Sequence, residues 1–359
     1  MLENKRLILA QMYLALDSPR DILHRNSRGR WTVSRSVTSR TRREWLQMMA
    51  AMGAGALVDG LSPRELARAA TGRVAQQQQD RVAQFRAQIG AIPIQAQPLA
   101  KNVTLFAGPG GNVVVLHGSD GLVVVDTFVA PAWPKLQESL KGLGAPVKTV
   151  INTHWHFDHT DNNAPLRAGG ATVVAHENTR LRMTQLHHLA VLELDFPPSP
   201  VAALPQRVFK DGYKLEANGE RLTVTHVPPA HTDTDVAVRF EKANALHTGD
   251  VFFNGFYPYI DGSTGGRTDG MIEATGRLLS LADSDTKIIP GHGPLGTKAD
   301  LAKYRDMLST AADRLRKLKA SGKSVEDAIA AKPLADLDAD WGKGRLNGDS
   351  FVKVVYLTL

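Results

Sequence analysis

Val147-Lys148-Thr149-Val150-Ile151-Asn152-Thr153-His154-Trp155-His156-Phe157-Asp158-His159 is the stretch that decides how this chain is read. An apolar run of strand length leads into three histidines and an aspartate within six residues. Those donors therefore sit where a buried strand ends and a loop begins, the place from which folds present functional groups. Such crowding suits a divalent cation, because imidazoles this close cannot all carry charge, and neutral imidazole is the commonest metal ligand. The chain has no cysteine. Disulfides, thiolate metal sites and cysteine nucleophiles are thereby excluded, and any metal must be held by His, Asp and Glu.

Outward from this stretch the pattern is one of short apolar runs and turns. Val103–Phe106 and Val113–His117 read as strands around the turn Gly108-Pro109-Gly110-Gly111-Asn112, which lacks the Lys-Ser/Thr of a phosphate loop and reads as a hairpin turn. Leu122–Val125 reads as a buried strand ending at Asp126, Trp133–Leu143 as a helix, and Ala171–Ala175 as a strand. Glu177–Leu194 has helical spacing; His187 and His188 upon it read as ordinary helix residues, with a place at the mouth of a site as the lesser alternative. Arg221–Val227, Asp235–Phe240, Asn244–His247 and Lys287–Pro290 read as further strands. Thr297–Ser321 and Ser324–Ala331 read as helices, the second capped by Ser324. Strand runs on both sides of helices predict α/β layering around two sheets.

His-x-His-x-Asp-His after a strand resembles the signature of the metallo-β-lactamase superfamily. That family next expects a lone His, an Asp after a strand and a final His after a short strand. This sequence carries His231 in Pro229–Asp235, Asp250 in His247-Thr248-Gly249-Asp250, and His292 in Pro290-Gly291-His292-Gly293-Pro294. The resemblance covers residues 95–300 and implies an α/β (α+β) fold, the four-layer αβ/βα sandwich, here followed by C-terminal helices. It implies two Zn2+ per chain, the first on His154, His156 and His231, the second on Asp158, His159 and His292, with Asp250 bridging. It further implies a nucleophilic hydroxide between metals about 3.5–4 Å apart, with Asp158 as the catalytic proton shuttle and Asp126 holding the histidine loop by hydrogen bonds. His226 and His247 read instead as satisfied buried histidines. The aromatic run Phe252, Phe253, Phe256, Tyr257 and Tyr259 divides between core and an apolar wall for substrate.

Asp250 narrows the activity. In dedicated metallo-β-lactamases of this family that position is typically Cys or Ser, whereas a bridging Asp is usual in thioesterase-, lactonase- and phosphodiesterase-like members. The resemblance thus implies a zinc-dependent hydrolase of an ester, lactone, amide or related bond in a small molecule, with β-lactam hydrolysis as a side activity. The alternative is an oxidoreductase similar to the persulfide dioxygenases, which share this ligand order but use a single iron at the three-histidine site. A non-catalytic binding module is disfavoured because no expected ligand is missing.

The charge points away from nucleic acid as a partner. Of the net +7, residues 1–69 hold 12 Lys/Arg against 6 Asp/Glu, and the remainder holds 31 against 30. The basicity belongs to a leader and not to the catalytic body. Within that leader, Thr41-Arg42-Arg43-Glu44-Trp45-Leu46-Gln47 precedes the mildly apolar Met48–Val58, and Ala67-Arg68-Ala69 supplies small residues for cleavage. This resembles a twin-arginine signal and implies the twin-arginine export machinery as a partner and a periplasmic or otherwise exported location. No run of about 18 apolar residues predicts a permanent membrane span. The chain divides into a leader (1–69), an N-terminal helix or linker (70–94), the metallo-β-lactamase-like domain (95–300) and a C-terminal helical extension (301–359). Oligomeric state has no signature in the sequence.

Overall fold

The computed structural model describes residues 22–25, 31–34, 63–189 and 193–359, so the twin-arginine segment 41–58 lies outside the described residues. The chain divides into two units, Met1–Asp80 and Arg81–Leu359. The first contains an antiparallel pair, β1 (Ile22–Arg25) with β2 (Trp31–Ser34), and the start of a helix that runs from Pro63 to Gly90. Ala67-Arg68-Ala69 lies within that helix.

In the second unit, β-branched runs buried on both faces build two sheets. The chain forms β3 (Gln95–Ala100), β4 (Val103–Ala107), β5 (Asn112–Leu116), β6 (Leu122–Val125), β7 (Val147–Ile151) and β8 (Thr172–His176). A separate hairpin, β9 (His187–Leu189) with β10 (Leu194–Phe196), precedes β11 (Arg207–Phe209). The first sheet has the order β11-β8-β7-β6-β5-β4-β3. The second follows as β12 (Gly212–Ala217), β13 (Glu220–His226), β14 (Val236–Phe240), β15 (Ala245–His247) and β16 (Lys287–Ile289), in that spatial order.

The alternation of side chains along each strand explains the layers. Val114 and Leu116 of β5 and Val123 and Val125 of β6 face the second sheet, where they meet Leu222, Val224, Val236, Val238 and Phe240. Their neighbours Val113, Val115, Leu122 and Val124 face outward and pack with Leu136 and Leu140 of the helix Trp133–Lys141. On the far side, Leu246 and Ile288 carry the helices Thr268–Ser280, Lys298–Ala320 and Gly348–Thr358. The result is the expected αβ/βα sandwich, and strands covered on both faces are why they read as unbroken apolar runs. Trp341 and Phe351 are buried among the C-terminal helices. Among the described residues no helix is long and apolar enough to cross a membrane.

One element departs from its sequence pattern. The helix expected over Glu177–Leu194 stops at Met183, and the hairpin β9–β10 follows. His187 and Leu189 are buried while His188 is exposed, a period of two that tertiary packing imposes on residues whose spacing also fits a helix. His187 consequently packs behind Trp155, with ring centroids 4.3 Å apart, and does not line a mouth. His188 pairs with Asp195 on the exposed face of the hairpin.

Candidate metal centre

Parallel pairing brings the functional loops to one edge. β6 runs beside β7 with Val125 opposite Ile151, and β15 beside β16 with His247 opposite Ile289. The residues that follow each pair therefore emerge together, as in other sheets whose ligands gather at the carboxyl ends of strands. Asp126 emerges beside the 152–159 loop, and Asp250 beside His292. Within that loop, Trp155 is buried in a cluster with Val82, Phe85 and Met183, while Phe157 packs against the same cluster and stacks on Phe196. Anchoring these two aromatics turns His154, His156 and Asp158 to the opposite side. Gly249, at φ +53°, lies where a Cβ would fall 2.8 Å from Thr153 Cβ, so only glycine lets the Asp250 turn close against the histidine loop.

The seven expected residues converge as two donor groups. His154, His156, His231 and Asp250 form one, and Asp158, His159 and His292 the other, with the ligand atoms within each group lying within 4.8 Å of one another. His156 Nδ1 is 2.8 Å from His231 Nε2. Asp250 spans the groups, with Oδ2 3.4 Å from His231 Nε2 and 3.3 Å from His292 Nε2, and Oδ1 3.2 Å from His159 Nε2. His154 Nε2 and Asp250 Oδ1 are buried without a hydrogen-bond partner. Unpaired buried polar atoms are costly, and two of them aimed into a cage of donors fit a bound cation.

Hydrogen bonds on the outer side set the tautomers. His159 Nδ1 donates to Asp126 at 2.8 Å, His231 Nδ1 to the Tyr259 carbonyl at 2.8 Å, and His156 Nε2 to Asp261 at 3.1 Å. Thr153 Oγ1 donates to Asp126 at 2.7 Å and so accepts from His154 Nδ1 at 3.1 Å. Each ring is thereby left with its bare nitrogen pointing inward. Asp126, which also accepts from the Thr153 amide at 2.8 Å, holds the histidine loop as the sequence implied. Asp261 was not singled out from sequence, and nothing local distinguishes it.

Electrostatics separates the two groups. Burial pushes His154 well below the ordinary imidazole value, with the nearby His159 adding to it, and burial brings His231 down to about 4. These rings stay neutral ligands. Burial also opposes charge on His159 and His292, but Asp250, Asp126 and Asp158 hold His159 well above its ordinary value, and Asp250 and Asp158 raise His292 to about 9. Although burial alone would raise Asp250, the surrounding histidines hold it well below the carboxylate range, His292 and His159 foremost. The second group therefore calls for positive charge. It is also the open side of the centre, with Asp158 14% and His292 21% exposed at the side chain.

Histidines outside the two groups have structural partners among the described residues. His247 is buried, donating to the Asn112 carbonyl at 3.1 Å and accepting from the Gly249 amide. His226 stacks on His176 at 3.9 Å. Phe253 stacks on the His292 ring at 5.1 Å and forms part of the rim, whereas Tyr257 is core, stacked on Phe351. The glycine turn at 108–112 is the expected hairpin turn between β4 and β5. It also abuts the centre, where a Cβ on Gly111 would lie 2.7 Å from His159 Cε1.

The sequence profile of the Metallo-beta-lactamase superfamily matches residues 107–293, more than half of the chain and every donor described above. The chain belongs to that superfamily. Within it, the chain is 26% identical over 255 residues to the 2,4-dinitroanisole O-demethylase subunit alpha of Nocardioides sp. (strain JS1661), a match covering 68% of this chain and 72% of that one. It is 29% identical over 231 residues to the hydroxyacylglutathione hydrolase of Methylococcus capsulatus, covering 62% and 79%. Among solved structures, the metallo-beta-lactamase from Pontibacter korlensis superposes with a TM-score of 0.50 at 20% identity, over 60% of this chain and 99% of that one. A double mutant of the sec-alkyl sulfatase PisA1 gives 0.53 at 16% identity, over 73% and 50%. At such identities the structural likenesses establish the fold alone. The chain thus combines the metallo-β-lactamase fold of its superfamily with a His/Asp cluster suited to metal.

Proposed function

We propose that the chain is an exported dinuclear zinc hydrolase that opens an ester, lactone, amide or related bond of a small molecule. The observation that carries this reading is the pair of donor groups sharing Asp250, with two buried donor atoms left unpaired inside them. His154, His156 and His231 would hold one ion, Asp158, His159 and His292 the other, and Asp250 both. Two such ions supply Lewis acidity for the scissile group and bring the pKa of water toward neutrality. The protein's own part is to keep four of the five imidazoles in the ligating tautomer by their outer hydrogen bonds and to move a proton. Asp158, on the open side, orients the attacking water, accepts its proton and delivers it to the leaving group.

Substrate range follows from the bridging carboxylate and from the relatives. Asp250, where dedicated β-lactamases typically carry Cys or Ser, favours lactone, ester and thioester chemistry over β-lactams. The relatives are named for O-demethylation of 2,4-dinitroanisole and for hydrolysis of hydroxyacylglutathione, so the scaffold accommodates differing leaving groups. A complete second donor group favours two metals over the single iron of a dioxygenase. Export rests on Arg42-Arg43 and the apolar segment after them, and loss of periplasmic protein in an Arg42→Lys/Arg43→Lys variant is its test.

The hydrolytic reading is tested by metal analysis together with a screen of lactones, β-lactams, thioesters and phosphodiesters. Two zincs per chain and turnover of at least one class are expected. The Asp158→Asn variant should lose about 100-fold or more in kcat, general acid–base terms being of that order. Unchanged turnover with metal bound removes Asp158 from its role, and one iron with oxygen uptake removes the hydrolase.

A further inference from the structure

The loop Gly342–Asn347 carries a cation to which the hydrolytic reading gives no task. Gly344 lies flat on the rim, where a Cβ would fall 2.6 Å from Phe256 Cβ. Phe256 meets Phe253 edge-on at 5.9 Å, and Phe253 is the ring stacked on His292. The next residue, Arg345, sets its guanidinium 3.8 Å above the centroid of Phe85. Phe85 in turn packs at 5.7 Å on Phe157, the residue before Asp158. One aromatic chain thus connects the loop to His292, a donor on the open side of the centre, while Phe85 and Phe157 anchor it beside the turn that carries Asp158.

Arg345 is exposed, and no carboxylate of the described residues lies within ion-pair distance of it. Other guanidiniums differ: Arg86 is taken by Asp161 at 2.7 Å, and Arg182 by Asp233 at 2.6 Å. Partial desolvation lowers the Arg345 pKa, and the Asp158 carboxylate is the charge that favours its ionised form. Stacking uses the face of the guanidinium and leaves its in-plane N–H groups free, the edge that matches a carboxylate with two parallel hydrogen bonds.

We propose that Arg345, held on the buried Phe85 ring, is an anion subsite at the mouth of the centre, taking the carboxylate of a substrate whose apolar body lies against the half-buried Phe256. The proposal rests on the hydrolytic reading and narrows it to small apolar molecules that carry a carboxylate apart from the scissile bond. Nothing in the metal-binding motif specifies this group, because Arg345 comes from the C-terminal loop.

The probes are 4-phenylbutanoate and its neutral amide, titrated calorimetrically into the zinc-loaded full chain. The carboxylate should bind about tenfold more tightly than the amide, as one charge-assisted contact at a half-open site allows. In Arg345→Met, at unchanged zinc content, the ratio should fall below about twofold, and in Arg345→Lys it should be partly kept. No preference in the native protein overturns the proposal. So does a preference that survives Arg345→Met, since the carboxylate then binds the metals directly. Turnover is read separately: a zinc-loaded protein that hydrolyses nothing yet keeps an Arg345-dependent ratio defeats the hydrolase reading and not the subsite.

Discussion

At the residue scale, the candidate donors and one of their supports, Asp126, were legible, and the other supports were not. His154, His156, Asp158 and His159 stand within six residues, so one strand-end motif declares them, and His231, Asp250 and His292 follow in family order. Asp261 lies 105 residues from His156, in a loop whose sequence shows only turn residues and aromatics. Its Oδ2 accepts from His156 Nε2, while Oδ1 accepts from the Ser263 amide and hydroxyl. In Asp261→Asn the Ser263 contacts keep the oxygen, and the amide NH2 is turned toward His156. The imidazole must then carry its proton on Nδ1, the nitrogen that faces the centre. Zinc affinity of the three-histidine group should fall about 10–100-fold, in line with other losses of such supporting carboxylates. Competition with a chromophoric chelator measures it, and unaltered affinity would mean that Asp261 does not set the tautomer.

At the element scale, apolar runs at strand spacing were read correctly where both faces are buried, as in β5, β6 and β7. The helix Thr268–Ser280 carries no such signal, because Gly270, Gly276 and two threonines lower its intrinsic propensity. Gly270 is required there, since any Cβ would run into the Pro229 carbonyl of the loop that bears His231. The hairpin β9–β10 was missed for the converse reason: Leu, His and Glu fit a helix, and packing against Trp155 decides for strands. The C-terminal helix Gly348–Thr358 is integral to the outer layer through Phe351, fully buried and stacked at 4.4 Å on Tyr257. Phe351→Ala should therefore cost about 3–5 kcal/mol. A lowered urea midpoint with an unchanged slope is the expected result, and a shift of less than about 1 kcal/mol would place that helix outside the cooperative core.

At the scale of the whole molecule, the centre joins the two sheets. Its donors come from the ends of β7 and of β15 and β16 and from the loop before β14, so a bound ion cross-links both halves of the sandwich. An ion that binds only the folded state stabilises it by about 4 kcal/mol at a thousand times its dissociation constant. Stripping with a chelator should then lower Tm by roughly 10 °C for a domain of this size, and added zinc should restore it. Scanning calorimetry of the stripped and reloaded protein checks this. Identical transitions would show that the sandwich closes without help from the site.

The order of apolar runs and the ordered spacing of His and Asp were enough to point to the family, the sandwich and the seven candidate donors, because those donors stand in short motifs at or near strand ends. Apart from Asp126, the partners of those donors were decided by tertiary structure alone. Asp261 reaches His156 across 105 residues, and Arg345 is brought to the rim by its own packing on Phe85 and that of Gly344 on Phe256. Hydrogen bonds and stacking act through space and leave no periodicity in the chain. The metal-binding motif could therefore be read from local order, while the shape and charge of what surrounds it had to await the fold.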